Sequence, residues 1–364
     1  MNEEPFFSVV IPVYNGGLYF QQCLHSLKQS TFNDWELIVV DDGSTDRSNV
    51  VAREHGARLF CTGKRLGPAA ARNAGAKIAK GRYLFFIDAD CAVHLDTLAK
   101  AANVFRTDPS LEALFGSYDD APVAPNSVAQ YKNLFHHYVH QQGRVEASTF
   151  WTGCGAIRRQ IFMKLGGFDT HLYERPSIED IELGYRLKQA GGRIQLAKEV
   201  QVKHLKAWTL PSLLKSDIFD RGIPWTRLIL RDKAFISDLN LQIYNRVSII
   251  AVYLLLLSLP VSFYNSWILL LTAGLAGLLL WLNFDLYHFF ARKRGIIFAL
   301  SIIPLHWLYY IYNAIAFGCG LMLHWHARYK AEFSQPPRPL IEAGRLDARR
   351  RDAEGEVRRK RIRL

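Results

Sequence analysis

The apolar residues of this chain fall in two patterns that change character near Tyr244. In the first part, FSVVIPV (7–13), WELIVV (35–40), RLF (58–60) and LFFI (84–87) are short continuous apolar runs, each ended by turn chemistry. Such runs predict strands buried on both faces. Between them, Leu18, Cys23, Leu24 and Leu27 recur at helical spacing, a second helix is expected over Ser48–Glu54, and GPAAARNAGAKIAKG supplies a small-residue stretch before LFFI. Strand, loop and helix in repetition predict an α/β fold, a mostly parallel sheet with helices on both faces. Ligands of such sheets bind beyond the carboxyl ends of the strands. The expectation is therefore one crevice faced by Tyr14 and Asn15, by Asp41 and Asp42, and by Asp88 and Asp90.

Beyond Tyr244 the runs lengthen. VSIIAVYLLLLSLPVSFY (247–264) and WILLLTAGLAGLLLWL (267–282), divided by Asn265–Ser266, predict a tight transmembrane hairpin, since a bilayer core takes about 20 apolar residues per helix. A third segment, 296–323, is long for one span and short for two, with Pro304 as a kink or break. Residues 208–235 alternate bulky apolar groups with Lys, Arg and Asp, the signature of helices lying flat on a membrane, with Trp208 and Trp225 at headgroup depth. Arg246 and the ARKR at 291–294 flank the hairpin on one side, as the positive-inside rule requires.

Composition sharpens this division. The 364 residues carry 45 Lys+Arg against 33 Asp+Glu, a net +12, with 49% hydrophobic residues, too apolar for a disordered chain. Half of the excess sits in residues 325–364, with 12 Lys/Arg against 6 Asp/Glu. Next to apolar segments, such a tail favours an anionic membrane surface over nucleic acid. MNEEPFF has acids where a secretory signal has a basic region, so the amino-terminal domain is expected in the cytosol. A cytosolic domain and three spans would leave the tail outside; a re-entrant last segment would return it to the cytosol, the placement expected here. Five scattered cysteines without a C-x-x-C pair fit reduced thiols better than disulfides or zinc.

The candidate chemistry lies in the acids. Asp88 and Asp90 share parity on an extended chain, and two converging carboxylates call for a hard divalent cation, Mg²⁺ or Mn²⁺, completed by substrate phosphates. A solvated surface turn is the bland alternative. In DDGSTD, Asp41 and Asp42 end a strand, Gly43 permits a tight turn, and Ser44, Thr45 or Asp46 can cap the next helix, Asp46 foremost. Neither G-x-G-x-x-G nor G-x-x-x-x-G-K-[ST] occurs, which weighs against dinucleotide and Walker-type phosphate sites. HHYVH (136–140) has no zinc spacing and stays unassigned.

Taken in order, VVIPVYN, ELIVVDDGSTD, GPAAARNAGAKIAKGRYLFFIDAD and SIEDIELGYRLKQAG resemble the successive signatures of family 2 glycosyltransferases with the GT-A fold, over about residues 6–235. The resemblance implies a nucleotide-sugar donor, usually a UDP-sugar. It sets Pro12, Tyr14, Asp41 and Asp42 beside the base, Arg72 on the nucleotide or its phosphates, Asp88 toward the ribose or metal, and Asp90 on the metal. His204, after the strand EVQVKHL, would be a third metal ligand. In PSIEDIELGYRLKQAGG the catalytic base falls on Asp180, with Glu179 and Glu182 as weaker claimants. WTGCGAIRR (151–159) resembles the floor beneath the acceptor, where Gly153 and Gly155 would allow close approach and Thr152 or Cys154 would touch the sugar; a β-bulge or tight packing is the alternative. Arg221 and Trp225 are the acceptor-side residues of the interfacial segment. Their spacing in RGIPW departs from the Arg-Trp motif of processive members, which puts a polymerising role in doubt.

The expectation is a GT-A catalytic domain (1–207), amphipathic interfacial helices (208–240), a transmembrane region (241–324) and a basic cytosolic tail (325–364). The expected activity is inverting transfer from a nucleotide-diphosphate sugar to a lipid or lipid-linked acceptor, from the cytosolic side of a multi-pass membrane anchor such as a bacterial inner membrane. A processive polysaccharide synthase, or a silent scaffold that binds nucleotide sugars, are the alternatives.

Overall fold

The computed structural model describes residues 4–173, 175–232 and 242–329. The first half is built from β1 (Phe7–Val13), α1 (Gly17–Lys28), β2 (Trp35–Asp41), α2 (Ser48–Glu54), β3 (Arg58–Cys61), α3 (Pro68–Ile78), β4 (Tyr83–Ile87), β5 (Cys91–Val93) and α4 (Thr97–Thr107). Next come β6 (Ala113–Tyr118), α5 (Ser127–Gln142), β7 (Cys154–Arg158), α6 (Arg159–Lys164), α7 (Glu179–Gln189) and β8 (Ile194–His204). Together the strands form one mixed sheet in the order β3-β2-β1-β4-β7-β6-β8-β5. Its first four strands run parallel, as the apolar runs predict. Beyond β4 the pairing alternates: β7 is antiparallel to β4 and β6, β8 is parallel to β6, and β5 is antiparallel to β8.

Small residues set the spacing of the parallel half. Gly75 of α3 lies so close to the sheet that a Cβ there would stand 2.5 Å from Val10 Cγ1, and the preceding turn of the helix carries Arg72, which reaches Asp88 just beyond the carboxyl end of β4. On the antiparallel side, the register of β6 against β8 slips between Phe115 and Ser117, and β6 offers two backbone carbonyls to α5. His140 donates Nδ1–H to Gly116 O at 3.1 Å and His137 to Tyr118 O at 2.7 Å, so two of the unassigned histidines fasten a helix to a strand.

The second half continues with α8 (Leu210–Lys215), a π-helix (Ser216–Gly222), α9 (Ile223–Asp232), α10 (Ile243–Val261), α11 (Ser266–Leu282), α12 (Phe284–Arg294) and α13 (Ile296–Tyr329). The 208–235 segment is thus helical through Asp232, and its remainder lies outside the described residues, as does the tail from Lys330. The hairpin is realised as α10 and α11. The third segment is one continuous helix that absorbs Pro304, so the break expected there does not occur. Instead the break falls one segment earlier, where α11 and α12 meet at 64°, and α12 has no counterpart in the expected elements. By length and composition, two of the described helices, α10 and α13, suffice to cross a membrane, or three if the bent pair counts as one span. Tyr264 is 93% and Trp267 78% exposed at the α10–α11 turn.

The two halves share α5. Its Tyr131, Leu134 and Phe135 belong to a second hydrophobic core with residues of α10 to α13. Lys132 pairs with Asp217 of the π-helix, whose other carboxylate oxygen accepts the Tyr312 hydroxyl of α13 at 2.7 Å. Arg294 of α12 donates to Gln130 at 2.6 Å, and Lys293 pairs with Asp120. Removing one member of a buried ion pair strands the other, at about 3–5 kcal/mol. Asp217→Asn is therefore expected to lower the melting midpoint of the detergent-solubilised protein, and the apolar pair Lys132→Met with Asp217→Leu to recover most of the loss. A midpoint unchanged by Asp217→Asn would show that this ion pair does not hold the halves together.

Candidate active site

At the carboxyl end of β1, Asn15 adopts a positive φ of 51° and its side-chain oxygen accepts from Thr45 N–H at 2.8 Å, tying the first strand-end loop to DDGSTD. Both acids of that loop are engaged. Asp41 accepts from Ser44 N–H at 2.9 Å. Asp42 accepts from Leu66 N–H and Gly67 N–H, each at 2.8 Å, and so holds the loop that leads into α3. Their oxygens hold the strand-end loops, and Asp46, expected as a helix cap, accepts from Ser48 N–H at 2.9 Å and from Gly17 N–H at 3.1 Å. Tyr14 has 41% of its surface exposed, and the Arg65 guanidinium sits 4.2 Å above its ring, a pairing the sequence analysis does not contain. Pro12 lies within β1 opposite Val40.

Arg72 is the centre of the site. Buried in α3, it donates from Nη2 to Asp88 Oδ1 at 2.7 Å and from Nη1 to Glu179 Oε1 at 2.8 Å. Burial alone would destabilise its charge, but Asp88 and then Glu179 raise its pKa. The guanidinium expected on the nucleotide is thus committed to two carboxylates in a buried salt bridge. Asp88 and Asp90, expected to converge on one ion, have different partners. Asp88 meets Arg72, whereas Asp90 Oδ2 lies 3.5 Å from His204 Nε2. His204 gets there by strand register, since it pairs directly opposite Cys91 in β8–β5. Its Nδ1 is 2.6 Å from Asn133 Oδ1, and Tyr118 stacks on its ring.

Among the described residues, no three His, Cys, Asp or Glu side chains are grouped to hold a metal ion, so Asp88, Asp90 and His204 do not form the expected triad. The pair Asp90–His204 nevertheless fits a cation completed by substrate phosphates and water. One carboxylate and one imidazole face each other, and the far nitrogen of the imidazole is occupied, as in metal-ligating histidines. Burial would raise the Asp90 pKa, but His204, followed by Lys206, holds it below the ordinary carboxylate range.

Across Arg72, α7 presents Glu179 and Asp180. Gly184 lets this helix approach the chain at 149–150, where a Cβ would stand 2.4 Å from Phe150 N. That contact brings Asp180 Oδ2 to Thr152, whose backbone N–H and hydroxyl donate at 3.0 and 3.2 Å. Glu179 is used on both oxygens, by Arg72 and by Ser177 N–H at 3.0 Å. Glu182 forks with Arg186 and is likewise spent. Asp180 remains partly exposed, and burial raises its pKa against the pull of Thr152, Arg72 and Arg221.

The acceptor floor differs from expectation. A Cβ on Gly153 would lie 2.3 Å from the Trp151 ring, and one on Gly155 2.1 Å from Trp151 O, so tight packing, the alternative reading, fills the space expected to be open. Cys154 is fully buried and out of reach of a sugar. Thr152 is buried and turned to Asp180. Trp225 donates to Tyr185 Oη at 3.3 Å behind α7, and Arg221 ends the π-helix as a cation that acts on Asp180. Asn133 is absent from the sequence reading; its signal was the recurrence of Asn133, His136, His137 and His140 at helical spacing.

Residues 8–166 match the family model described as glycosyl transferase family 2. An uncharacterized glycosyltransferase of Haemophilus influenzae is 36% identical over 129 residues, 34% of this chain and 51% of that protein. Glycosyltransferase AglE of Haloferax volcanii is 26% identical over 203 residues, 54% of this chain and 66% of that protein. The matches thus span about half to two thirds of these relatives' lengths. A mannosyltransferase of Pyrobaculum calidifontis, solved with GDP-Man and Mn²⁺, shares the fold with a TM-score of 0.50 at 17% identity, over 87% of this chain and 88% of that one. Through its ordered strand-end motifs and the match over residues 8–166, the chain is similar to glycosyl transferase family 2.

Proposed function

We propose that the protein is an inverting glycosyltransferase that moves a sugar from a nucleotide-diphosphate donor, a UDP-sugar, to a lipid or lipid-linked acceptor at a membrane surface. The observation that carries this reading is the Arg72 fork. One guanidinium fixes the end of β4, next to Asp90, to the start of α7, next to Asp180. The segment that leads to Asp90 and the turn that carries Asp180 are thereby tied to one buried guanidinium.

On the donor side, the exposed Tyr14 face and Arg65 offer a platform for the base, on a rim shaped by Asp41 and Asp42. Asp90 and His204 would hold the divalent cation, with imidazole favouring Mn²⁺ over Mg²⁺. When bound, that ion offsets charge on the departing nucleoside diphosphate. On the acceptor side, Asp180 accepts the proton of the attacking hydroxyl as the new C–O bond forms and the donor's anomeric C–O bond breaks toward the diphosphate. Thr152 aims the carboxylate, and a raised pKa makes it a stronger base than a solvated aspartate. Arg221 and Trp225, on helices packed against α13, supply the acceptor side. The exposed aromatic turn between α10 and α11 and the apolar helices around it support membrane attachment, with the catalytic domain and the basic tail in the cytosol.

The test is release of nucleoside diphosphate from a panel of nucleotide sugars, with Mn²⁺ or Mg²⁺ and membrane lipid extract. Turnover that depends on lipid and cation is the expected result; donor binding without turnover would favour the scaffold. Asp180→Asn should lower kcat by about 10²–10⁴-fold with donor binding nearly intact. Because the base works deprotonated, the wild-type rate falls as pH drops through the Asp180 pKa, which lies above the ordinary aspartate value, and Asp180→Asn should erase this limb. A native rate in Asp180→Asn would remove it as the base. Asp90→Ala should abolish cation-dependent donor binding, seen by calorimetry. Arg72→Met leaves buried Glu179 without its cation, at about 3–5 kcal/mol, and Arg72→Lys lacks the two-pronged geometry. Both should lower the melting midpoint and kcat together, whereas full activity in Arg72→Lys would show that the fork does not align the site.

A further inference from the structure

We propose that Asn133 is a positioning residue for the cation edge of the site, one that makes His204 a ligand by turning its unprotonated Nε2 toward Asp90. This rests on the reading in which Asp90 and His204 hold a divalent cation. The argument starts from the chemistry of an amide oxygen, which only accepts hydrogen bonds. Asn133 Oδ1 lies 2.6 Å from His204 Nδ1, so Nδ1 carries the hydrogen, and in the neutral ring the lone pair sits on Nε2. That nitrogen is the one 3.5 Å from Asp90 Oδ2.

Two further contacts stop the ring from escaping this arrangement. Tyr118 stacks on it with centroids 4.3 Å apart and planes 7° from parallel, and the strand register opposite Cys91 fixes its backbone. Asn133 is itself held, 2% exposed, on a helix anchored on both sides: Lys132 pairs with Asp217, and His137 and His140 donate to carbonyls of β6. Its Nδ2 has no partner among the described residues. A buried amide with one idle end is a poor device for stability alone. Its useful end is the oxygen, and the oxygen is spent on His204. Turned the other way, the amide would donate to Nδ1, put the ring hydrogen on Nε2 and close the site to a cation.

The test uses the full-length protein in detergent and follows Mn²⁺ by electron paramagnetic resonance, with UDP present in one arm and GDP in the other. Asn133→Leu should weaken Mn²⁺ binding about 10–100-fold, the usual effect of losing the partner of a ligating histidine. Asn133→Asp, which keeps an acceptor at the same place, should bind Mn²⁺ at least as tightly as the wild type. Coupling to a directly bound nitrogen should appear in pulsed spectra of the wild type and Asn133→Asp, and vanish in Asn133→Leu and His204→Ala. If His204→Ala binds Mn²⁺ as the wild type does, His204 is not a ligand and both readings fall. If His204→Ala weakens binding while Asn133→Leu keeps wild-type affinity and nitrogen coupling, the ligand stands and the positioning role is overturned. Loss of Mn²⁺ in Asn133→Asp as well as Asn133→Leu also overturns it, because the acceptor would then make no difference.

Discussion

A guanidinium buried between two carboxylates is the constraint on which the rest of this site depends. Arg72 is out of water, and its charge is tolerable only because Asp88 and Glu179 stand on either side. Those acids come from different ends of the fold, one from the close of a central strand and one from the first turn of a helix 107 residues away from Arg72 in the chain. Neither can move without leaving a buried charge unpaired. The residues next to them, Asp90 and Asp180, inherit that rigidity without spending their own oxygens on it.

The second constraint runs from the sheet toward the apolar helices. α5 has histidines on β6, Asn133 on His204 and Lys132 on the π-helix, so one helix bears on the strand, the candidate cation edge and the helices that carry Arg221 and Trp225. The π-helix then lies so close to α13 that a Cβ on Gly222 would stand 2.7 Å from Ala316 Cβ. In the proposed reaction, an acceptor brought along a membrane would meet a surface already fixed relative to the donor, with little reorganisation left to do on binding.

The strands and their loops were legible in the sequence because they are local facts: apolar runs, helical spacing and turn residues state their own structure. The order of motifs also named Asp90, Asp180, His204 and Arg72 as candidates for one site. What the spacing could not state was the partner of each group. The Asp88–Asp90 parity argument holds for a straight strand, but β4 ends at Ile87 and the two acids part beyond it. Gly153 looked like room for a ligand, yet a glycine also makes room for its own neighbours, and Trp151 takes the space. Asn133 meets His204 across 71 residues, a separation at which one sequence carries no pairing signal. The bend between α11 and α12 was hidden for another reason: apolar composition reports burial or lipid, not direction.

Which acids are left for chemistry follows from which oxygens are taken. Asp41 and Asp42 hold loop backbone, Glu179 holds Arg72 and Ser177, Glu182 holds Arg186, and Asp88 is paired by the same arginine. Each is satisfied by groups that a substrate would have to displace at the cost of a buried hydrogen bond. Asp90 differs because its neighbour, His204 Nε2, accepts when neutral, and two acceptors face to face are at rest only with a cation or a proton between them. Asp180 differs because its donors, Thr152 and the start of α7, orient it while leaving it open to the crevice. In the proposed reaction the donor and acceptor roles therefore fall to these two carboxylates, while the acids around them are held by backbone or by arginine.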